Sequence, residues 1–244
     1  MIIPRPEDAK HKNQMYRLLA EILSDIYLAQ RLQFKGGTYA SLREVLDRFS
    51  IDLDFDLPNK EDKNAVRQRC YNIFKKLNLS IKDESRKHLQ FFLKYDAKPF
   101  ERNTLKLEIT DDVSPFNTYE KVYLPEISMY CSGHTLDTMF ANKLVAAKGR
   151  FNKTGKIAGR DFYDIHKFFI EGISVNKKVV EERTSLSYRK YLEDLIDFIK
   201  SELNDQLLYQ DLNLLIEKER LESVVRVLKP ELVRFLKELS LHCP

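Results

Sequence analysis

The run Phe49-Ser50-Ile51-Asp52-Leu53-Asp54-Phe55-Asp56-Leu57 alternates apolar and polar residues without a break and stops at Pro58. Only a strand repeats every two residues. The run therefore predicts a strand with Ser50, Asp52, Asp54 and Asp56 on one face and Ile51, Leu53, Phe55 and Leu57 on the other. Carboxylates two residues apart on one face repel each other unless water, an arginine or a divalent cation offsets their charge. Asp52 and Asp54 are thus either the acidic face of a solvated edge strand or ligands for a hard cation such as Mg²⁺ or Mn²⁺, ions that also suit triphosphates.

The neighbouring segments set this strand in an α+β chain. Between residues 6 and 30, Met15, Leu18, Leu19, Ile22, Leu23 and Ile26 fall at helical spacing and predict one amphipathic helix. Phe34-Lys35-Gly36-Gly37-Thr38 predicts a turn, with a short helix over 41–47 behind it. A helix at 60–77 then precedes strands near 79–81, 89–95, 104–110 and 121–124. From Thr135 onward the β-rich runs stop, and helices are predicted at 135–149, 159–172, 177–203, 206–217 and 218–241. The expected division is residues 1–133 against a helical domain of residues 134–244.

Composition narrows the class. With 244 residues, 43% apolar, 32% charged, 7 Gly and 8 Pro, the chain is globular, helix-rich and able to bury a sizeable core. No run approaches the roughly 18 apolar residues of a membrane span, and the start lacks the apolar core of a signal peptide. Cys70, Cys131 and Cys243 form neither a CxxC pair nor a disulfide framework. A cytoplasmic protein with no membrane partner is expected. The net charge of +4 decides nothing, but residues 143–190 hold twelve Lys and Arg against five Asp and Glu. That stretch is either a polyanion-facing surface or a solvated helical face. His11, His88, His134, His166 and His242 lack metal-ligand spacing and receive no role.

Other pieces carry chemistry when taken with the carboxylate strand. A Gly-Gly-Thr turn that opens a helix offers backbone N–H groups to phosphate oxygens. Leu105-Lys106-Leu107-Glu108-Ile109 alternates, so Lys106 and Glu108 share a strand face. Glu108 is then either a third metal carboxylate or half of an ordinary salt bridge. In the helical half, Lys143 sits in the apolar stretch Met139–Ala147, a setting for a partly buried, partnered lysine. Asp161 and Asp164, at i and i+3, share one helical face. Tyr39, beside the turn, is either a core ring or a base-stacking one.

The ordered set Gly36-Gly37-Thr38, Arg48-Phe49-Ser50-Ile51-Asp52-Leu53-Asp54-Phe55, Leu105-Lys106-Leu107-Glu108, Ala141-Asn142-Lys143-Leu144 and Arg160-Asp161-Phe162-Tyr163-Asp164-Ile165 resembles the AbiEii/AbiGii nucleotidyltransferase toxin family over about residues 30 to 170. Departures are Tyr39-Ala40 after the threonine, Ile51 where the family has glutamate, and Asn142 before the lysine. The resemblance implies a nucleotidyltransferase-fold mixed sheet with flanking helices, followed by a C-terminal helical bundle that completes the active-site cleft. It implies an NTP-dependent enzyme acting as the toxin of a toxin–antitoxin or phage-defence pair, with a separate antitoxin protein as partner.

By this resemblance Gly36, Gly37, Thr38 and Ser50 surround the triphosphate, and Asp52, Asp54 and Glu108 bind Mg²⁺ or Mn²⁺. Lys143 steadies the triphosphate charge and Asp161 holds the lysine, Asp164 being the alternative acid. The acceptor of the nucleoside monophosphate is expected to be RNA, first a tRNA 3′ end, and next a protein or small-molecule hydroxyl. A catalytically inactive RNA- or protein-binding module is the competing class, and the retained carboxylates and lysine speak against it.

Overall fold

A computed structural model describes residues 1, 3, 5–98 and 101–242. It divides into two compact units, Met1–Val113 with Thr118–Thr135 and Ser114–Asn117 with Leu136–Pro244. A division at 133/134 does not foresee that Ser114–Asn117 joins the second unit.

The first unit is built on one mixed sheet of β1 (Gln33–Lys35), β2 (Asp52–Asp56), β3 (Ser80–Glu84), β4 (Leu89–Lys94), β5 (Thr104–Thr110), β6 (Tyr119–Leu124) and β7 (Met129–His134). The order across the sheet is β3-β4-β5-β2-β1-β7-β6. β2 runs parallel to β5 and β1 parallel to β7, while the other neighbours are antiparallel. The helices of this unit are α1 (Ala9–Ser24), α2 (Ile26–Arg31), α3 (Gly36–Leu42) and α4 (Lys63–Lys76).

The expected alternation in β2 holds. Leu53, Phe55 and Leu57 are fully buried, and Phe55 stacks on Phe34 of β1 with ring centroids 4.8 Å apart. α1 buries Met15, Leu18, Leu19 and Ile22 along one stripe. The single helix expected over 6–30 is broken at Asp25, whose extended backbone lets its carboxylate accept from Leu28 N at 3.0 Å and cap α2. The glycines expected in a turn instead form the first residues of α3, where helical N–H groups need no partner within the helix.

The second unit contains α5 (Leu136–Thr154), α6 (Gly159–Ile170), α7 (Lys177–Thr184), α8 (Tyr188–Glu202), α9 (Asp205–Leu212) and α10 (Lys218–Leu241). α10 buries Leu221, Val225, Leu228, Leu232 and Leu236 on a helical stripe. The helix expected over 177–203 is two, because Ser185 adopts a left-handed φ of 56° and Ser187 caps α8 through Lys190 N. Among the described residues no helix is long and apolar enough to cross a membrane. Cys70 and Cys131 are buried free thiols, and Cys243 lies outside the described residues.

Candidate active site

The sheet register assembles the carboxylates. Asp54 pairs with Lys35 on one side and with Glu108 on the other, and Asp52 lies beside Lys106. Residues level with one another on neighbouring strands project to the same face. Lys35, Asp54 and Glu108 therefore form one row across three strands, with Asp52 and Lys106 in the next.

Electrostatics separates the acids. Burial and the adjacent Asp52 carboxylate push Asp54 up to about 6, against the pull of Lys106 and Lys35. Burial acts in the same direction on Glu108, but the Lys106 ammonium bonded to it prevails and holds it below the usual glutamate range. Asp56, on the same face, is buried; even so, the His134 imidazole at 2.7 Å and the Lys35 ammonium at 2.6 Å hold it down to about 2. The Tyr119 hydroxyl adds a hydrogen bond to Asp56 at 3.1 Å. Asp56 is thus tied to structural partners, whereas Asp54 carries charge at a cost. Among the described residues no three Asp, Glu, His or Cys side chains converge as a ready metal cage. The expected third ligand, Glu108, stands beside Asp54 but is bonded to Lys106.

The glycine start of α3 lies directly against this row. Gly36 has φ +82°, and a Cβ there would collide with the Asp54 carboxylate. At Gly37 an added Cβ would fall 2.8 Å from the Arg48 guanidinium and 3.0 Å from Ser50 Oγ. Gly36→Ala is therefore expected to destabilise the fold by about 1–3 kcal/mol through backbone strain, which thermal melting checks.

Thr38 and Ser50 occupy different ground from the expected phosphate contacts. The Thr38 hydroxyl is fully buried and hydrogen-bonds with the Asp52 carbonyl at 2.5 Å and the Ser50 hydroxyl at 2.9 Å. Both side chains fasten α3 to the start of β2. Tyr39 is a core ring, fully buried at 5.0 Å from Phe34.

Three residues with no expected role support the same strand. His11 Nε2 donates to the Ile51 carbonyl at 2.8 Å, and Nδ1 lies 2.6 Å from the Tyr95 hydroxyl. Burial lowers His11 to about 4, so the ring is neutral at physiological pH. With Thr38, it secures two successive carbonyls, Ile51 and Asp52. Arg48, also buried, donates from Nη1 to Phe49 O at 2.9 Å beneath the glycine turn. His134 is the third, through Asp56. His11 and His134 leave no pattern in sequence, since their partners Ile51, Tyr95 and Asp56 lie 40 to 84 positions away. His11→Ala is expected to cost about 1–3 kcal/mol by leaving the Ile51 carbonyl unmet. His11→Gln, which keeps a donor, should recover part of this in urea unfolding.

In the second unit, α5 and α6 bring Lys143 to Asp164 at 2.6 Å, with the carboxylate fully buried. Asp161 pairs instead with Arg150 at 3.0 Å. The expectation that Asp161 holds the lysine is corrected: one helical turn separates the two acids on α6, and it is Asp164 that meets Lys143. The basic stretch is partly neutralised in the same way, since Lys148 and Lys190 share Asp194.

A family model described as nucleotidyl transferase AbiEii toxin, type IV toxin–antitoxin system, matches residues 17–228. No curated protein sequence matches this chain. In fold the chain is similar to JHP933 from Helicobacter pylori, with a TM-score of 0.53 and 21% identity over 97% of this chain and 96% of that one. It is similar to the nucleotidyltransferase toxin MenT4 of Mycobacterium tuberculosis, with a TM-score of 0.50 and 17% identity over 96% and 86%. An antigenic nucleotidyltransferase-like protein from Paracoccidioides brasiliensis gives a TM-score of 0.52 and 14% identity over 87% and 97%. At these identities the likeness is one of fold.

Proposed function

This chain belongs to the AbiEii nucleotidyltransferase toxin family of type IV toxin–antitoxin systems and is an NTP-dependent nucleotidyltransferase, and we propose that it transfers a nucleoside monophosphate to an RNA hydroxyl with Mg²⁺ or Mn²⁺ at Asp52 and Asp54. The observation that carries this reading is Asp54, lodged between Asp52, Glu108 and the backbone of Gly36 and ionised only against its surroundings.

The donor set fits a hard divalent cation. Two carboxylates suffice for such an ion, which takes its other ligands from water and substrate phosphates, and a cation there would offset the burial and the Asp52 repulsion that together raise Asp54. The ion supplies neutralisation of charge on the triphosphate and the departing pyrophosphate. The chain's own part is placement. Gly36 and Gly37 offer backbone N–H groups to the phosphates, and Thr38, Ser50 and His11 hold the turn and the start of β2 in register. Glu108 is the proposed third ligand, exchanging Lys106 for the ion. Lys143, the proposed catalytic lysine, is oriented by Asp164 within the second unit.

RNA as acceptor is supported by the charges left over in the basic stretch. Lys153, Lys156 and Lys178 are exposed and have no acidic partner among the described residues. A tRNA 3′ end is the first choice of acceptor, and the family implies a separate antitoxin protein as partner. The test is incubation with each α-labelled NTP, Mg²⁺ and total RNA, followed by sequencing of RNA 3′ ends. Label at one class of RNA 3′ end is the expected result. Label in protein alone, or none with any nucleotide, overturns the RNA reading.

A further inference from the structure

The sheet face that carries Asp52 and Asp54 ends, at its β6–β7 edge, in two tyrosines standing in water. Tyr123 and Tyr130 are direct cross-strand partners, 45% and 63% exposed, with ring centroids 5.1 Å apart at 56°. The Lys121 ammonium lies 5.4 Å from the Tyr130 ring. The face is continuous between the two places. Ser132, two residues on from Tyr130, bonds Gln33 of β1, and Gln33 pairs with Asp56 of β2.

A cross-strand aromatic pair also supports its hairpin. That role alone is served best by covered rings. These rings keep about half their surface open and have a cation beside them, the makeup of a platform on which unpaired bases stack while an ammonium meets the phosphates. We propose that Tyr123, Tyr130 and Lys121 form a shelf for an unpaired base of the RNA acceptor. This rests on the reading of the chain as an RNA-directed nucleotidyltransferase.

Position favours the acceptor over the incoming nucleotide. β7 is two strands from β2, and Gly133 is level with Phe34, one residue before the Lys35–Asp54 pair. Tyr130 is three residues before Gly133 and so about four residues back from the level of that pair. At roughly 4.8 Å per strand and 3.3 Å per residue, the shelf is about 16 Å from the carboxylates. With the α-phosphate of an NTP at Asp54, a single ribose separates it from the base and does not span that distance, whereas a single strand reaches it within a few nucleotides.

The experiment measures anisotropy of a fluorescein-labelled single-stranded RNA at low salt, alongside label transfer from NTP. Tyr130→Ala should weaken RNA binding about tenfold, the loss of one aromatic stack, while Tyr130→Phe binds like wild type and KM for NTP stays unchanged. An RNA with abasic positions should bind wild-type protein about tenfold more weakly than the intact RNA does, a comparison that does not depend on how a variant folds. Equal RNA binding by wild type and Tyr130→Ala, or no RNA binding by wild type, overturns the shelf. Tyr130-dependent RNA binding without any nucleotide transfer leaves the shelf standing and removes the transferase-on-RNA reading instead.

Discussion

Replacing Asp54 with asparagine is expected to lower nucleotide transfer by about 10³-fold or more, and to make the metal-free protein more stable at pH 8. The kinetic loss follows from removing a charged ligand from the cation, whose neutralisation of transition-state charge is worth several kcal/mol, at about 1.4 kcal/mol per tenfold. In cells, growth inhibition by the expressed protein should disappear with it. The stability gain follows from the raised carboxyl. A folded-state value of about 6 lies above that of an unfolded aspartate, so the unfolded chain ionises first. Without metal, wild-type stability therefore falls as pH rises from about 4 through 6 and stays low above. The Asn variant escapes that fall and should gain about 2 kcal/mol at pH 8 and nothing near pH 4. Thermal melting in chelator at the two pH values measures this. An Asn variant that melts below wild type at pH 8 would contradict the strained carboxylate.

Asp56→Ala should do the reverse to the fold. It strips Lys35 of a buried counter-ion and His134 and Tyr119 of a hydrogen-bond partner, and breaking one side of such a buried pair costs about 3–5 kcal/mol. The pH dependence carries the opposite sign from that of Asp54. Because the folded Asp56 is held down to about 2, its stabilisation is complete above the ordinary aspartate range and is lost as pH falls towards 2. Wild type and variant should differ most at neutral pH and converge in acid, as urea unfolding from pH 7 to pH 2 would show. A difference that persists unchanged at pH 2 would mean that packing, not charge, holds this corner.

The sequence alone discloses β2 and β5 because their one-residue alternation has no competing explanation, and α10 because its apolar stripe is long. β7 escapes notice, since Met129-Tyr130-Cys131-Ser132-Gly133-His134 mixes small and polar residues and is extended only because β1 and β6 flank it. The breaks at Asp25 and Ser185 turn on single backbone conformations that periodicity does not register. For the site, alternation shows which face each carboxylate takes, but only the parallel register of β2 with β5 shows that Asp54 is level with Glu108. Asp161 and Asp164 are equivalent by helical spacing. The geometry of α5 against α6 tells them apart.

Strand order also sets a clock on this chemistry. β2 and β1 each have a parallel neighbour that is made later, β5 and β7. Glu108 leaves the ribosome roughly fifty residues after Asp54, a wait of several seconds at about 5–20 residues per second. For that interval Asp52 and Asp54 lie on a strand without the neighbour that fixes their row. A growing chain of this toxin therefore carries its acids before it has the sheet to aim them, and its activity begins only when the later strands have joined.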